Sequence, residues 1–177
     1  MREAAGNCFV QVGLLYGDLV TKEDYLRAAH RVMQIGGDCV YCASSMDTIK
    51  ALCDEGIPVV SHAGLIPSKC TWTGGFKAVG KTADSAKAVF DYVIALEKIG
   101  CFGAELVVVA DRICVEISKR TSMIVLGMGA GSSADAQYLF TEDVLGHTSE
   151  HKPRHAKTYR NFRAEFDRLQ KRARFGV

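Results

Sequence analysis

Leu106-Val107-Val108-Val109-Ala110 is an unbroken apolar run containing three β-branched residues, followed at once by Asp111. A strand with one wet face alternates apolar and polar residues, whereas a strand of a parallel sheet is covered on both faces and reads as a continuous hydrophobic run. The run therefore predicts a buried parallel strand. Parallel neighbours cannot be joined by a hairpin, so the flanking sequence must supply crossovers.

It does so in both directions. Downstream, Ile113–Thr121 reads as a helix, Met123–Leu126 as the next strand and Gly127–Gly131 as a glycine-rich turn. Upstream, a long helix over Thr82–Ile99 follows a glycine-bearing loop from His62 to Lys81, itself preceded by a strand at Ile57–Ser61. Before that come a short helix at Asp47–Cys53 closed by Gly56, a strand at Cys39–Cys42, and a helix capped by Thr21 that runs to about Ile35. Glu23 and Asp24 lie in the first turn of that helix, Leu26, Ala29, His30 and Met33 share helical spacing, and Gly36-Gly37 ends it. Cys8–Leu15 is the first strand, and Ala156–Arg174 reads as a terminal helix with Tyr159, Phe162, Phe166 and Leu169 on one stripe. Strict alternation of this kind predicts a parallel sheet with helices outside it. A doubly wound sheet and a (β/α) barrel both fit the pattern.

The composition bounds the class. At 177 residues, 48% hydrophobic and 24% charged, the chain has the make-up of a soluble globular domain and not of a disordered tail or a fibre. No apolar run approaches the ~18 residues that span a bilayer, and the first residues lack the apolar stretch of a secretion signal, so the expected location is cytoplasmic. Seven cysteines, an odd number lying mostly in apolar runs, point to reduced thiols. The net charge of +2 is uneven: residues 151–177 carry nine Lys/Arg against Glu165 and Asp167, a net of +7 that leaves −5 for residues 1–150. A barrel-like domain over 1–150 followed by a basic C-terminal helix over 151–177 is the expected organisation. Nucleic acid is a minor candidate for that basic segment, against a solvated or subunit-packing helix.

Several short motifs carry possible chemistry. Gly75-Phe76-Lys77-Ala78-Val79-Gly80-Lys81-Thr82 is a formal match to the phosphate-binding P-loop, but that loop works by following a buried strand directly, and here Pro67–Thr73 intervenes. Cys39-Val40-Tyr41-Cys42 has metal-pair spacing yet lies in a strand, so its thiols diverge, and no second Cys-x-x-Cys accompanies it. The turn at Gly127-Met128-Gly129-Ala130-Gly131 either lets backbone amides approach an anion or is a tight strand-to-helix connection. His62 follows a strand at the end where parallel α/β proteins place ligand-contacting groups, or it merely bonds a loop. Asp111 ends a strand in the same way and is expected either to meet His62 in one pocket or to cap the following helix. Glu105, at the other end of that strand, is expected to face solvent.

Three blocks of these residues resemble the ketopantoate hydroxymethyltransferase family. Gly56-Ile57-Pro58-Val59-Val60-Ser61-His62-Ala63-Gly64-Leu65-Ile66-Pro67-Ser68 is similar to its strand and turn ending G-H-x-G-L-T-P-Q. Thr73–Lys81 resembles its loop G-G-F/Y-K-V-Q-G-R, and Leu126–Gly131 with Asp135-Ala136-Gln137 and Asp143-Val144-Leu145-Gly146 resembles its I-G-I-G-A-G…D-G-Q…D-x-x-G segment. The resemblance implies a (β/α) TIM-barrel type fold, here lacking the first two βα units, and assembly into a homo-oligomer. It implies hydroxymethyl transfer from 5,10-methylenetetrahydrofolate to 2-oxoisovalerate, or enolisation of a related small 2-oxo acid, with Mg²⁺ as cofactor. By the same resemblance Asp111 is the catalytic base, His62, Gly127 and Gly129 contact substrate, and Gly74, Gly75, Lys77 and Gly80 belong to a lid loop. The family's metal-ligating carboxylates have no counterpart: Gly13 and Tyr41-Cys42-Ala43 stand where they are expected, so the metal ligands are unknown and the Mg²⁺ site looks absent. Two alternatives accompany this reading, a non-catalytic paralogue that binds a ketoacid or serves as an assembly subunit, and a P-loop nucleotide-binding protein.

Overall fold

In the computed structural model the described residues are 2–14, 16–147 and 152–175. After a one-turn helix α1 (Arg2–Ala5), strands and helices alternate: β1 (Gln11–Leu14), α2 (Lys22–Gln34), β2 (Cys39–Cys42), α3 (Met46–Asp54) and β3 (Val59–Gly64). A 3₁₀ segment (Pro67–Thr73) then precedes α4 (Ala83–Lys98), β4 (Gly103–Val107), α5 (Asp111–Ser118), β5 (Ile124–Met128) and the two-residue β6 (Ala136–Gln137). The strands lie in the order β1-β2-β3-β4-β5-β6, and the four pairings from β1 to β5 are all parallel. Strict sequential order decides between the two candidate architectures. A doubly wound sheet reverses its order at a switch point, whereas a sheet that always adds the next strand on the same side is a stretch of (β/α) barrel wall.

The helices form for local reasons. Thr21 caps α2 in a reciprocal box with Asp24, and Thr82 caps α4 in the same way with Ser85. The buried face of α2 is Tyr25, Ala29 and Val32, with His30 exposed, so the apolar stripe is rotated from the expected Leu26, Ala29, His30 and Met33. Between sheet and helices lies the core, built from the outward-pointing residues of each strand: Leu14, Val40, Cys42, Val59, Ala63, Ala104, Leu106 and Val125. Period-two alternation then sends Gln11, Tyr41, His62 and Glu105 to the other, inner face. That face is concave. Gln11 Nε2 on β1 donates to Glu105 Oε1 on β4 at 2.7 Å, although three strand spacings in a flat sheet span about 14 Å. Side chains of a flat sheet also project side by side, so the contact requires the wall to curl.

Strand boundaries move in ways that matter. The strand expected at 106–110 runs instead over Gly103–Val107, and the one expected at 57–61 runs over Val59–Gly64. The first strand is shorter than expected, and Leu15, its expected last residue, lies outside the described residues. The chain's two compact units are 1–136 and 137–177; the boundary expected at 150/151 lies outside the described residues. Within the second unit, α6 (Thr141–Leu145) and α7 (Phe162–Phe175) are tied by Tyr159 N–H to Val144 O at 2.8 Å and Arg163 N–H to Gly146 O at 3.1 Å. The terminal helix begins six residues later than expected, and the stripe of Tyr159, Phe162, Phe166 and Leu169 is exposed.

Candidate functional site

The three-residue shift of β4 relocates two carboxylates. Glu105, expected at a solvent-facing strand edge, becomes the middle residue of β4 and is only 6% exposed on the inner face. Burial pushes its carboxyl above the ordinary range, and the Gln11 hydrogen bond offsets part of that rise. Asp111 no longer ends a strand. It is the first residue of α5, whose N-cap is Ala110 with no side-chain cap bond, so the expected capping of a helix at 113–121 is not what it does.

His62 lies within β3, not after it, and is buried. Its Nε2 is 2.8 Å from the Leu65 carbonyl, which can only accept, so that nitrogen carries the proton. Nδ1 therefore accepts from the Tyr41 hydroxyl at 2.7 Å. Both ring nitrogens are engaged and the tautomer is set by its neighbours. Burial and then the nearby Lys69 charge hold the imidazole pKa below its usual value, against the opposing effect of the Leu65 bond. A histidine whose folded pKa is depressed contributes stability that is complete above the unfolded pKa and is lost as pH falls through the folded one. The melting temperature is therefore expected to decline as pH drops below 6.5, and His62→Phe is expected to flatten that part of the profile. A variant whose profile keeps the wild-type slope would show that another group carries it.

His62 and Glu105 are direct partners in the β3–β4 register, so their side chains leave adjacent strands on the same face. The sheet thus places Gln11, Tyr41, His62 and Glu105, one from each of four consecutive strands, along a single polar row, with the Cys39 thiol donating to Gln11 Oε1 at 3.8 Å. The expected pairing of His62 with Asp111 is not present. His62 lines a cavity of about 350 Å³ with Gly64, Ile66, Val79 and Tyr92, whereas Asp111 lines another of about 640 Å³ with Lys81, Thr82 and Arg112, and the two share no lining residue. Lys69 is a further member that sequence reading missed. It donates to the Ala43 carbonyl at 3.2 Å just past β2 and stands over the Tyr16 ring. Glu105 had a possible signal in the sequence: an acid inside a run of apolar residues is either an edge or a deliberate burial.

The glycine segments are placed as follows. Gly127 is a buried residue of β5 opposite Leu106, so it belongs to the strand and not to the turn. Gly129 follows with φ +67°, and at Gly131 a Cβ would meet the Asp111 carboxylate, which packs over that position. In the loop, Gly74 and Gly75 both have positive φ, Lys77 is exposed, and Gly80 is buried against Ile113. Trp72 and Phe76 are 91% and 74% exposed, so the loop's aromatic side chains lie open over no partner. Its far end is anchored: Val79 pairs with Val109 in an isolated parallel bridge, with Val79 N–H to Val108 O at 2.9 Å. Val108 makes this possible by turning left-handed at φ 50°, a conformation that costs a β-branched residue about 1–2 kcal/mol. The P-loop reading does not survive this geometry. A 3₁₀ segment separates β3 from Gly75, and the Thr82 hydroxyl accepts from Ser85 N–H as a helix cap.

A resident Mg²⁺ needs several oxygen ligands converging on one point. Among the described residues no three of His, Cys, Asp and Glu gather to hold a metal, and the inner row offers Glu105 as its one carboxylate. The described side chains therefore do not fit a protein-held Mg²⁺ site.

The sequence pattern of one family, ketopantoate hydroxymethyltransferase, matches residues 1–172. The chain belongs to the ketopantoate hydroxymethyltransferase family. Among curated relatives, 3-methyl-2-oxobutanoate hydroxymethyltransferase 1 of Methylibium petroleiphilum is 36% identical over 91% of this chain and 56% of its own length. The 3-methyl-2-oxobutanoate hydroxymethyltransferases of Kosmotoga olearia and Thermus thermophilus are 34% and 33% identical, over 97% and 89% of this chain and 66% and 62% of theirs. The chain thus spans between half and two-thirds of the length of these relatives. Solved structures with partial similarity include a monomeric dihydrodipicolinate synthase variant, with a TM-score of 0.44 and 16% identity over 67% of this chain and 41% of that one. Another is a deoxyribose phosphate aldolase of Aeropyrum pernix, with a TM-score of 0.39 and 14% identity over 68% and 63%. No helix among the described residues of this family member is long and apolar enough to cross a membrane.

Proposed function

We propose that the inner face of this wall binds a small 2-oxo acid and removes the proton on the carbon beside the ketone, the first half of hydroxymethyl transfer to 2-oxoisovalerate. The observation that carries the reading is the buried Glu105 carboxyl, with raised proton affinity, in register with His62. A base with raised proton affinity accepts a carbon-bound proton better than an ordinary carboxylate does. In this reading Gln11 orients Glu105, the half-buried Lys69 pairs with the substrate carboxylate, and His62 positions Tyr41 and the Leu65 turn without touching substrate. 5,10-Methylenetetrahydrofolate supplies the one-carbon unit as co-substrate. No step is assigned to Mg²⁺.

The test is solvent exchange of the C3 proton of 2-oxoisovalerate in deuterated buffer, followed by NMR. Exchange lost in Glu105→Gln and kept in Asp111→Asn supports Glu105 as the base; the reverse result assigns the base to Asp111. Absence of exchange in the wild type overturns the catalytic reading. It would favour a ketoacid-binding or assembly role, which His62 with both nitrogens engaged also supports.

We also propose self-association. Phe9 and Phe102 stack at 5.7 Å while 60% and 39% exposed, Ile124, whose N–H donates to the Phe102 carbonyl at 3.2 Å, is 41% exposed, and among the described residues no strand pairs with the outer side of β1. An unpaired edge next to exposed aromatic surface favours pairing with another chain. Light scattering is expected to give a mass of at least twice 19.2 kDa, and Phe102→Lys is expected to lower it. A wild-type monomer at micromolar concentration would refute the proposal.

A further inference from the structure

From His62 outward, three cavities adjoin one another. The cavity of about 350 Å³ beside His62 and a second of about 280 Å³ are both lined by Val79 and Ser85, and the second shares Gly80 and Lys81 with the cavity of about 640 Å³ at Asp111. Their linings change in character along the way. Nearest His62 they are apolar, with Ile66, Val79, Val89 and Tyr92, whereas Lys77, Lys81 and Arg112 line the outer two. We infer that these cavities hold an elongated ligand with a flat apolar head and several carboxylates, and that Lys77, Lys81 and Arg112 bind the glutamate tail of the one-carbon donor. The inference rests on the donor proposed above.

The three cations are available for such a partner. Among the described residues of 1–136, six Lys and Arg side chains make no ion pair and no side-chain hydrogen bond: Lys22, Arg31, Lys77, Lys81, Lys98 and Arg112. Half of them line these two cavities. Neighbouring cations on the same helices are already engaged, Lys87 with Asp91 and both Lys119 and Arg120 with Glu116. Asp111 is the one carboxylate in the three linings, and it is turned against Gly131, where a Cβ would meet its oxygen. A cleft lined by one sign of charge raises the local concentration of the opposite sign.

The frame that holds Lys81 beside Arg112 is fixed although the rest of the loop lies open. Val79 N–H donates to Val108 O at 2.9 Å and Ala110 N–H donates to Val79 O at 3.1 Å, so the segment leading to Lys81 is pinned to the start of α5. Gly80 then passes so close to Ile113 that a Cβ there would stand 2.2 Å from Cδ1. Carboxylates suit this mouth better than a nucleotide's phosphate chain, because the Thr82 hydroxyl that a P-loop would turn to Mg²⁺ is occupied in capping α4.

The test is calorimetric titration of the full chain with 5-formyltetrahydrofolate, which carries the same pteridine head, bearing either one or three γ-linked glutamates. The triglutamate form is expected to bind about three- to thirtyfold more tightly, the worth of two or three exposed ion pairs, and the ratio is expected to shrink as salt is raised. Lys81→Gln and Arg112→Gln are each expected to lower the ratio and together to bring it close to one, with the melting temperature unchanged. Arg31→Gln, which removes an unpaired cation on α2, is expected to leave it intact. Equal affinity for the two tails, no binding of either, a ratio that survives the double variant, or displacement by Mg-ATP that is lost in Lys81→Gln would each overturn the inference. C3 proton exchange needs no donor, so the two readings fail separately. A chain that exchanges without discriminating the tails overturns this site alone, and one that discriminates without exchanging keeps the site and loses the proposed proton abstraction.

Discussion

Glu105→Gln is expected to slow exchange of the C3 proton of 2-oxoisovalerate by about 10²–10⁴-fold, the usual contribution of a positioned general base. Folding is expected to survive the change. The Gln11 amide donates to Glu105 Oε1, and a glutamine oxygen at the same place can accept the same bond. The protonation balance even favours the variant. A carboxyl with a raised folded pKa is not penalised while both folded and unfolded forms hold the proton. As pH rises above the unfolded value of 4.5, the folded state must give up a proton it holds more tightly, and stability falls. A neutral amide escapes that loss, so Glu105→Gln is expected to melt at or above the wild-type temperature at pH 7 and to lose the advantage below pH 4. A variant that exchanges normally removes Glu105 from the mechanism. One that melts well below wild type at pH 7 contradicts the burial argument.

Gly64→Ala is expected to destabilise the fold by about 3 kcal/mol or more, the combined cost of a side chain at positive φ and a clash with rigid backbone. At Gly64 φ is +100°, and a Cβ would lie 2.3 Å from the Val107 carbonyl oxygen on β4 and 2.6 Å from Val109 Cγ2. No flexible side-chain end is available to yield at that carbonyl, which also accepts the Leu65 N–H at 2.8 Å. Separating β3 from β4 there would part His62 from Glu105. Gly75 provides the comparison: its φ is +104° but its Cβ would meet nothing within 4 Å, so Gly75→Ala is expected to cost only the conformational term, about 1–2 kcal/mol. Denaturant melts of the two variants measure the difference. Equal losses would mean that the β3–β4 clash is relieved by strand movement.

Much of the fold was legible because it rests on patterns confined to short segments. Thr21 with Asp24 announced α2, Thr82 and Ile99 bracketed α4 within one residue, and Cys39–Cys42 was placed as found. The strands around the site were harder. Val107, Val108, Val109 and Ala110 are as apolar as any strand residue, so composition extends β4 to Ala110, but the chain turns left-handed at Val108 to accept Val79 from the loop. That bridge joins residues thirty positions apart, and nothing local reports it. Read from composition, Glu105 stands just outside the strand and faces solvent; with β4 beginning at Gly103 it is the middle residue of the strand and is buried on the inner face.

By itself, the sequence determined the alternation of strands and helices, the family and the block containing His62, because helix caps, hydrophobic runs and motif spacing are local properties of the chain. Tertiary structure alone decided the order of strands, the curl that lets Gln11 reach Glu105, and the company His62 keeps. Those depend on register between strands, and register is set by long-range packing of the core against α2 to α5. A change of register moves every side chain of a strand relative to its neighbours without altering a residue.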